Sequence, residues 1–356
     1  MPTRRTLLKG TLFGSAAALL PTPASASDGG PLLCLPAPSG PYPVGLRKVH
    51  LTDPSRPDPW VGGVRELMLT VLYPARSVRG FSRAPQLTPG EAKEFADLAP
   101  LMRQGLPEPG AVDWGAVLTH GHVGAPPLPG RRPVLVYSPG GGDSRTLGTS
   151  LAEDLASHGR VVVLVDHPGD ASQVELPTGM RTTVLFGPPD PATFRTMVDT
   201  RIADLRFVLD RLSGLPLAPV MDLGRIGLYG HSAGGTAVVY AARGDRRVDA
   251  VANLEGYLDL YPATGLGRPL LLCRTDGFEG APRIESSWAD LPGSRALLTD
   301  ANHWSFTDLG PLVAQLRTHG LVTATARTAL IGDGDPAVTL AAVRRRVGTF
   351  FARHLS

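Results

Sequence analysis

The residues with the clearest chemical potential lie in Arg225-Ile226-Gly227-Leu228-Tyr229-Gly230-His231-Ser232-Ala233-Gly234-Gly235. An apolar run meets Gly-x-Ser-x-Gly, and a helix of small residues from Thr236 to Arg243 follows at once. A serine on so sharp a strand-to-helix turn is pushed out at the end of a sheet, while Gly230 and Gly234 leave room for neighbouring backbone. Its hydroxyl can attack an ester carbonyl once a base removes the proton. An ordinary glycine-rich turn would carry the same letters; the strand before it and the helix after it favour a nucleophile.

The base is normally a histidine oriented by a buried carboxylate, and behind such a turn both lie downstream, acid first. His303, His319 and His354 qualify by position. His354 falls in a C-terminal helix and His319 at a helix end, where a cation caps carbonyls. His303 follows a strand in Asp300-Ala301-Asn302-His303-Trp304-Ser305-Phe306 and is the expected base. His231 should point away from the serine. Two carboxylates compete as the acid: Glu255, closing one strand in Asn253-Leu254-Glu255-Gly256, and Asp276, closing the next in Cys273-Arg274-Thr275-Asp276-Gly277. Asp300 reads as a turn residue and Asp308 as a helix cap.

Attack creates an oxyanion, which needs fixed backbone donors. The Ala233 amide, at the positive end of the new helix, is one. The other is expected from Ser138-Pro139-Gly140-Gly141-Gly142-Asp143-Ser144, at the Gly141 amide. A phosphate-cradling role for that loop fails for want of a following Gly-Lys-Ser/Thr. His120-Gly-His122 lacks spaced acidic or thiol partners, so neither a metal nor another cofactor is implied. His167 is expected in the pocket wall. Trp288, Trp304 and Phe306 fit an apolar acyl wall as well as they fit core.

These groups must be carried by a scaffold. Leu46 to Leu51 and Glu66 to Tyr73 read as an opening antiparallel pair. Residues 75 to 130 read as irregular, with one helix from Glu91 to Arg103 begun by Thr88-Pro89 and a long loop thereafter. Strands then alternate with helices: strands at 133–137, 161–165, 225–231, 248–254, 270–273 and 296–298, helices at 147–157, 195–212 and from Asp335-Pro336 to the end. Val198, Ile202, Leu205, Leu209 and Leu212 share one helical face. The alternation predicts an α/β fold, a mostly parallel central sheet with helices on both faces, and ligands bound beyond the carboxyl ends of its strands.

Of 356 residues, 42% are apolar and 19% charged, as in a globular chain that can bury a large core. The net charge of +3 comes from Arg4, Arg5 and Lys9; beyond them 32 basic residues meet 32 acidic ones. Nucleic acid or an anionic membrane surface is therefore not an expected partner. Residues 1–26 read as a twin-arginine-type signal peptide: Arg4-Arg5-Thr6-Leu7-Leu8-Lys9, an apolar stretch from Leu12 to Leu20 too short to span a bilayer, and Ala24-Ser25-Ala26 for cleavage. Residues 27–45 follow as a Pro/Gly-rich leader, and 46–356 as one domain with an insertion at about 75–130. Export permits a bridge between Cys34 and Cys273, but Cys273 sits in the apolar run Leu270-Leu271-Leu272, where a buried free thiol is the simpler reading.

From about Leu67 to Leu355 the chain resembles the α/β-hydrolase family of platelet-activating-factor acetylhydrolase and the related bacterial lipases and esterases. The resemblance rests on Tyr73-Pro74-Ala75, Ser138-Pro139-Gly140-Gly141, Leu151-Ala-Glu-Asp-Leu-Ala-Ser-His-Gly159, Asp166-His167-Pro168, Gly230-His231-Ser232-Ala233-Gly234-Gly235 and His303-Trp304-Ser305-Phe306-Thr307-Asp308. It implies a secreted serine hydrolase of carboxylic esters, with Ser232 as nucleophile, His303 as base, and Gly141 and Ala233 at the oxyanion. The implied substrate is a small-molecule or lipid ester, either a short-acyl lipid or phospholipid or a longer or polymeric ester, and no stable membrane insertion is implied. The family places aspartate where Glu255 stands; glutamate is one methylene longer, so its loop must recede. By position the resemblance favours Glu255 over Asp276. Pro139 stands where the acetylhydrolases tend to have histidine, which leaves the substrate open. A binding protein that kept the scaffold without the chemistry is the alternative of another class.

Overall fold

The computed structural model describes residues 30–262 and 266–356; the expected signal peptide lies outside them. In chain order the elements are β1 (Val44–Pro57), β2 (Val64–Pro74), β3 (Arg83–Pro85), α1 (Pro89–Met102), β4 (Leu118–Val123), β5 (Arg132–Ser138), α2 (Thr149–Ser157), β6 (Val161–Val165), β7 (Gln173–Leu176), β8 (Gly179–Thr182) and α3 (Pro191–Arg211). They continue with β9 (Met221–His231), α4 (Ala233–Arg243), β10 (Val248–Leu254), β11 (Leu270–Thr275), α5 (Ala281–Trp288), β12 (Ser294–Leu298), α6 (Leu309–Thr318), α7 (Ala324–Ile331) and α8 (Pro336–His354).

One ten-stranded sheet runs β12-β11-β10-β9-β5-β6-β2-β1-β4-β3. The pairs from β12 to β6 are all parallel, and β2 is antiparallel to both β6 and β1. The inner strands are continuous apolar runs because both of their faces are covered. Val198, Leu205 and Val208 of α3 and Val238 of α4 pack on one face with Val134 and Val136. Leu151 and Leu155 of α2 and Val343, Val347 and Phe351 of α8 pack on the other with Leu135. All five residues expected on one helical face are buried, four on α3 and Leu212 just past its end.

Two regions depart from expectation. Residues 75–130 are more regular than foreseen: α1 is present, capped by Thr88 with Glu91 reaching back, and the short β3 and β4 extend the sheet beyond β1. From Gly30 onward the leader is a strap. Leu33 and Leu35 are buried among residues of α1, α6 and α7, Cys34 exchanges backbone hydrogen bonds with the Gln315 side chain, and Arg344 of α8 donates to the Pro36 and Ala37 carbonyls. No bridge forms: Cys34 is exposed on this strap, Cys273 is buried within β11, and both are free.

Candidate active site

The parallel strands β9 to β12 and β5 end on one edge, and the candidate groups lie beyond those ends. Ser232 and Glu255 directly follow β9 and β10, Gly141 is in the loop after β5, and His303 is in the turn after β12. Ser232 follows β9 with φ 52° and ψ −124°, a left-handed conformation that a non-glycine residue holds only under strain. The elbow survives because its neighbours lack side chains. A Cβ on Gly230 would strike Gly234, and one on Gly234 would strike the Ser138 and Pro139 carbonyls. The Ser232 amide donates to the Leu254 carbonyl at 2.9 Å, which sets the serine beside the end of β10.

Glu255 follows β10, also in a left-handed conformation (φ 62°). The turn is braced by Asn253, whose side chain accepts from the Gly256 amide at 2.7 Å and donates to the Gly256 carbonyl at 3.0 Å. Gly256 has no room for a Cβ against the Ser232 carbonyl, so the acid's turn lies directly on the elbow. The carboxylate is 1% exposed. Its Oε1 accepts from the Thr275 amide and hydroxyl at 2.5 and 2.7 Å, and its Oε2 faces His303 Nδ1 at 2.8 Å. The extra methylene of glutamate thus spans from β11 to the histidine.

His303 opens a single 3-10 turn, His303–Phe306, after β12. Asn302 accepts its amide at 2.7 Å and ties the turn to α7 through the Ala329 carbonyl at 3.0 Å. Burial pushes the imidazole below its ordinary value, as does the neighbouring His231, against the upward pull of Glu255. With Nδ1–H committed to the carboxylate, Nε2 is left as a free lone pair, the state a general base requires. Among the described residues the Ser232 hydroxyl has no hydrogen-bond partner. Nucleophile–base contacts are often open in unliganded hydrolases and tighten with substrate.

Asp276, the competing acid, is exposed, and its carboxylate accepts the Asp300 and Ala301 amides at 3.0 and 3.2 Å. It holds the turn that leads to the histidine. Glu255 is the carboxylate that meets the ring. Asp300 is a turn residue as read (φ 55°). Asp308 caps a helix other than its own: it accepts the Thr149 and Ser150 amides at the start of α2, at 3.0 and 2.9 Å, and the Gln86 side chain at 2.8 Å. His231 does turn away from the open edge, and it does more than fill space. Its ring lies 4.4 Å from that of His303, and its Nε2 donates to the His303 carbonyl at 3.0 Å.

Two expected pocket residues are corrected. His167 is fully buried between Ser138 and Asp204 and lines no pocket. Phe306 is core, 5.9 Å from His231. Trp304 is half-buried and edge-on to His303 at 5.4 Å, whereas Trp288 is buried and donates to the Gly256 carbonyl at 2.9 Å. Sequence reading missed Phe278, which stacks on His303 at 4.1 Å; an aromatic two residues past Asp276 gave no periodic signal. Gly141 is exposed and adjoins Ala233, and among the described residues neither amide has an acceptor. Two free amides beside the serine can share one developing negative charge.

A family described as platelet-activating factor acetylhydrolase, isoform II, matches residues 114–176. A relative from Arthroderma benhamiae, named "Probable 1-alkyl-2-acetylglycerophosphocholine esterase", is 28% identical over 348 residues, covering 89% of this chain and 87% of the relative. The solved structure of a ferulic acid esterase from Streptomyces cinnamoneus superposes with a TM-score of 0.77 at 36% identity, covering 91% of this chain and 94% of that one. The strand order, the strained elbow and these likenesses converge: the chain belongs to the α/β-hydrolase family of platelet-activating-factor acetylhydrolase and the bacterial esterases, and it is a carboxylic-ester hydrolase.

Proposed function

We propose that this protein is a serine esterase, exported by the twin-arginine route, that cleaves short-acyl lipid or phospholipid esters. Ser232 Oγ attacks the ester carbonyl while His303 Nε2 takes its proton. Glu255 holds the Nδ1–H and stabilises the imidazolium that results. The carbonyl oxygen, now negative, accepts from the Gly141 and Ala233 amides. As the tetrahedral centre collapses, the alcohol leaves with the proton from His303, and the acyl group stays on Ser232. Water gives its proton to the same nitrogen and attacks the acyl-enzyme; collapse releases the acid as His303 returns that proton to Ser232 Oγ.

The observation that carries this reading is the 2.8 Å contact between Glu255 Oε2 and His303 Nδ1 at the strand edge that bears the Ser232 elbow. Purified mature protein should hydrolyse p-nitrophenyl acetate and butyrate, and Ser232→Ala should remove that activity. Equal turnover in the variant would end the reading.

A second reading of the acyl group, as an aromatic acid, is supported by Phe278 stacked on His303 and Trp304 edge-on to it, together with the likeness to a ferulic acid esterase. A panel running from acetyl to palmitoyl, with methyl ferulate and a solid polyester alongside, separates the readings. A kcat/KM highest at acetyl supports the lipid reading; one highest at ferulate supports the aromatic one.

A further inference from the structure

Behind the oxyanion loop lies a second arrangement of serine, histidine and aspartate. Ser138 Oγ meets His167 Nε2 at 2.9 Å, and His167 Nδ1 meets Asp204 Oδ2 at 2.9 Å. All three side chains are fully buried, so no substrate reaches Ser138. Arg201, one turn before Asp204 on α3, lies alongside. Its Nε donates to Asp170 at 2.5 Å, its Nη1 to the Pro139 carbonyl at 2.5 Å and to Ser138 Oγ at 3.3 Å, and its Nη2 to the Gly140 carbonyl at 2.8 Å. Asp170 also accepts the Gly142 amide at 3.1 Å.

These contacts fix proton positions. The Asp204 carboxylate can only accept, so His167 Nδ1 donates to it. Burial keeps the ring neutral, so Nε2 accepts the Ser138 hydroxyl proton and a Ser138 lone pair is left for Arg201. The His167 proton therefore sits on Nδ1, directed at Asp204. Asp204 is held in turn by Arg65 at 2.7 and 3.1 Å and by Arg56 at 2.9 Å. The consequence for the loop follows from peptide geometry. The Gly140 carbonyl and the Gly141 amide belong to one planar trans peptide and point in opposite directions. Arg201 grips the carbonyl, so the Gly141 amide must face away from Arg201, and the cation polarises that peptide toward a stronger donor.

We infer that Arg201, seated by Asp170 and by the buried Ser138–His167–Asp204 chain, is the positioning residue that aims the Gly141 amide at the oxyanion. The inference rests on the reading of Ser232 as nucleophile. It accounts for a charged network with no access to substrate: the network satisfies the loop's inner carbonyls and the Gly142 amide and leaves one amide free.

Ser138→Ala and Arg201→Lys test it, because lysine offers a single nitrogen where Arg201 uses three, in a rigid fork, to hold Asp170 and both carbonyls. Hydrolysis of p-nitrophenyl butyrate should lose about tenfold in kcat for Ser138→Ala and about 100-fold or more for Arg201→Lys, with KM within twofold. Inactivation by a fluorophosphonate, which builds charge on the same oxygen, should slow by the same factor as kcat. Should Arg201→Lys fail to fold, Ser138→Ala decides alone. A kcat and an inactivation rate within threefold of the parent, or a loss confined to KM, would overturn the inference. Peptide mapping of the labelled site separates this from failure of the parent reading. Label on Ser232 at an undiminished rate in Ser138→Ala defeats only the positioning role, whereas label on Ser138, or activity surviving Ser232→Ala, defeats both.

Discussion

At the scale of single residues, the site turns on one carboxylate with two tasks. Glu255 Oε1 is fastened to Thr275 of the next strand, and that fixes where Oε2 presents itself to His303. Glu255→Gln should lower kcat by on the order of 10²- to 10⁴-fold, because the amide no longer stabilises the imidazolium. Asp276→Asn should cost less than about tenfold, since that side chain only supports a turn. Reversed magnitudes on one substrate would make Asp276 the acid. The pH profile carries an independent sign. Burial holds His303 below the ordinary histidine value of about 6.5, so kcat/KM should stay level as pH falls to that value and decline only below it. Glu255 pulls that value upward, so the acid limb should shift further down in Glu255→Gln. A limb above pH 6.5 in the parent would contradict the burial argument.

At the scale of elements, Asp308 joins two parts of the site that are far apart in sequence. It follows the histidine turn, yet its carboxylate receives the first amides of α2, the helix that the oxyanion loop leads into. Asp308→Ala should cost about 1–3 kcal/mol by orphaning those amides and Gln86, and it should lower kcat through the loosened turn. Thermal melting and turnover measured on one preparation check this; a lower Tm with unchanged kcat would show a cap and nothing more. That partnership was not legible in the sequence. What could be read were features written locally: the Gly-x-Ser-x-Gly turn, the unbroken valines of β6, the four-and-three spacing of α3. The short polar β3, β4 and β7–β8 carry no such period. His167 and Phe306 looked like pocket residues because their true neighbours, Asp204 and His231, come from other elements. Glu255 could be preferred over Asp276 only by resemblance. The spacing that decides between them is a contact of 48 residues' separation.

At the scale of the whole molecule, the strap before β1 is part of the fold. Leu33 and Leu35 are buried, and each buried leucine contributes about 1.5–3 kcal/mol. A chain starting at Pro43 should therefore lose roughly 3–6 kcal/mol of stability relative to one starting at Ser27, read as a lower midpoint in urea at unchanged slope. Coincident unfolding curves would show the strap to be dispensable.

The strap also constrains when the protein can be finished. Its docking partners are Gln315 and Arg344, and these contacts bridge separations of 281 and 308 residues. The first described segment cannot settle fully until Arg344 has left the ribosome. A transporter that threads nascent chains would carry off the strap before its partners exist, whereas one that accepts folded globules would find the strap already in place.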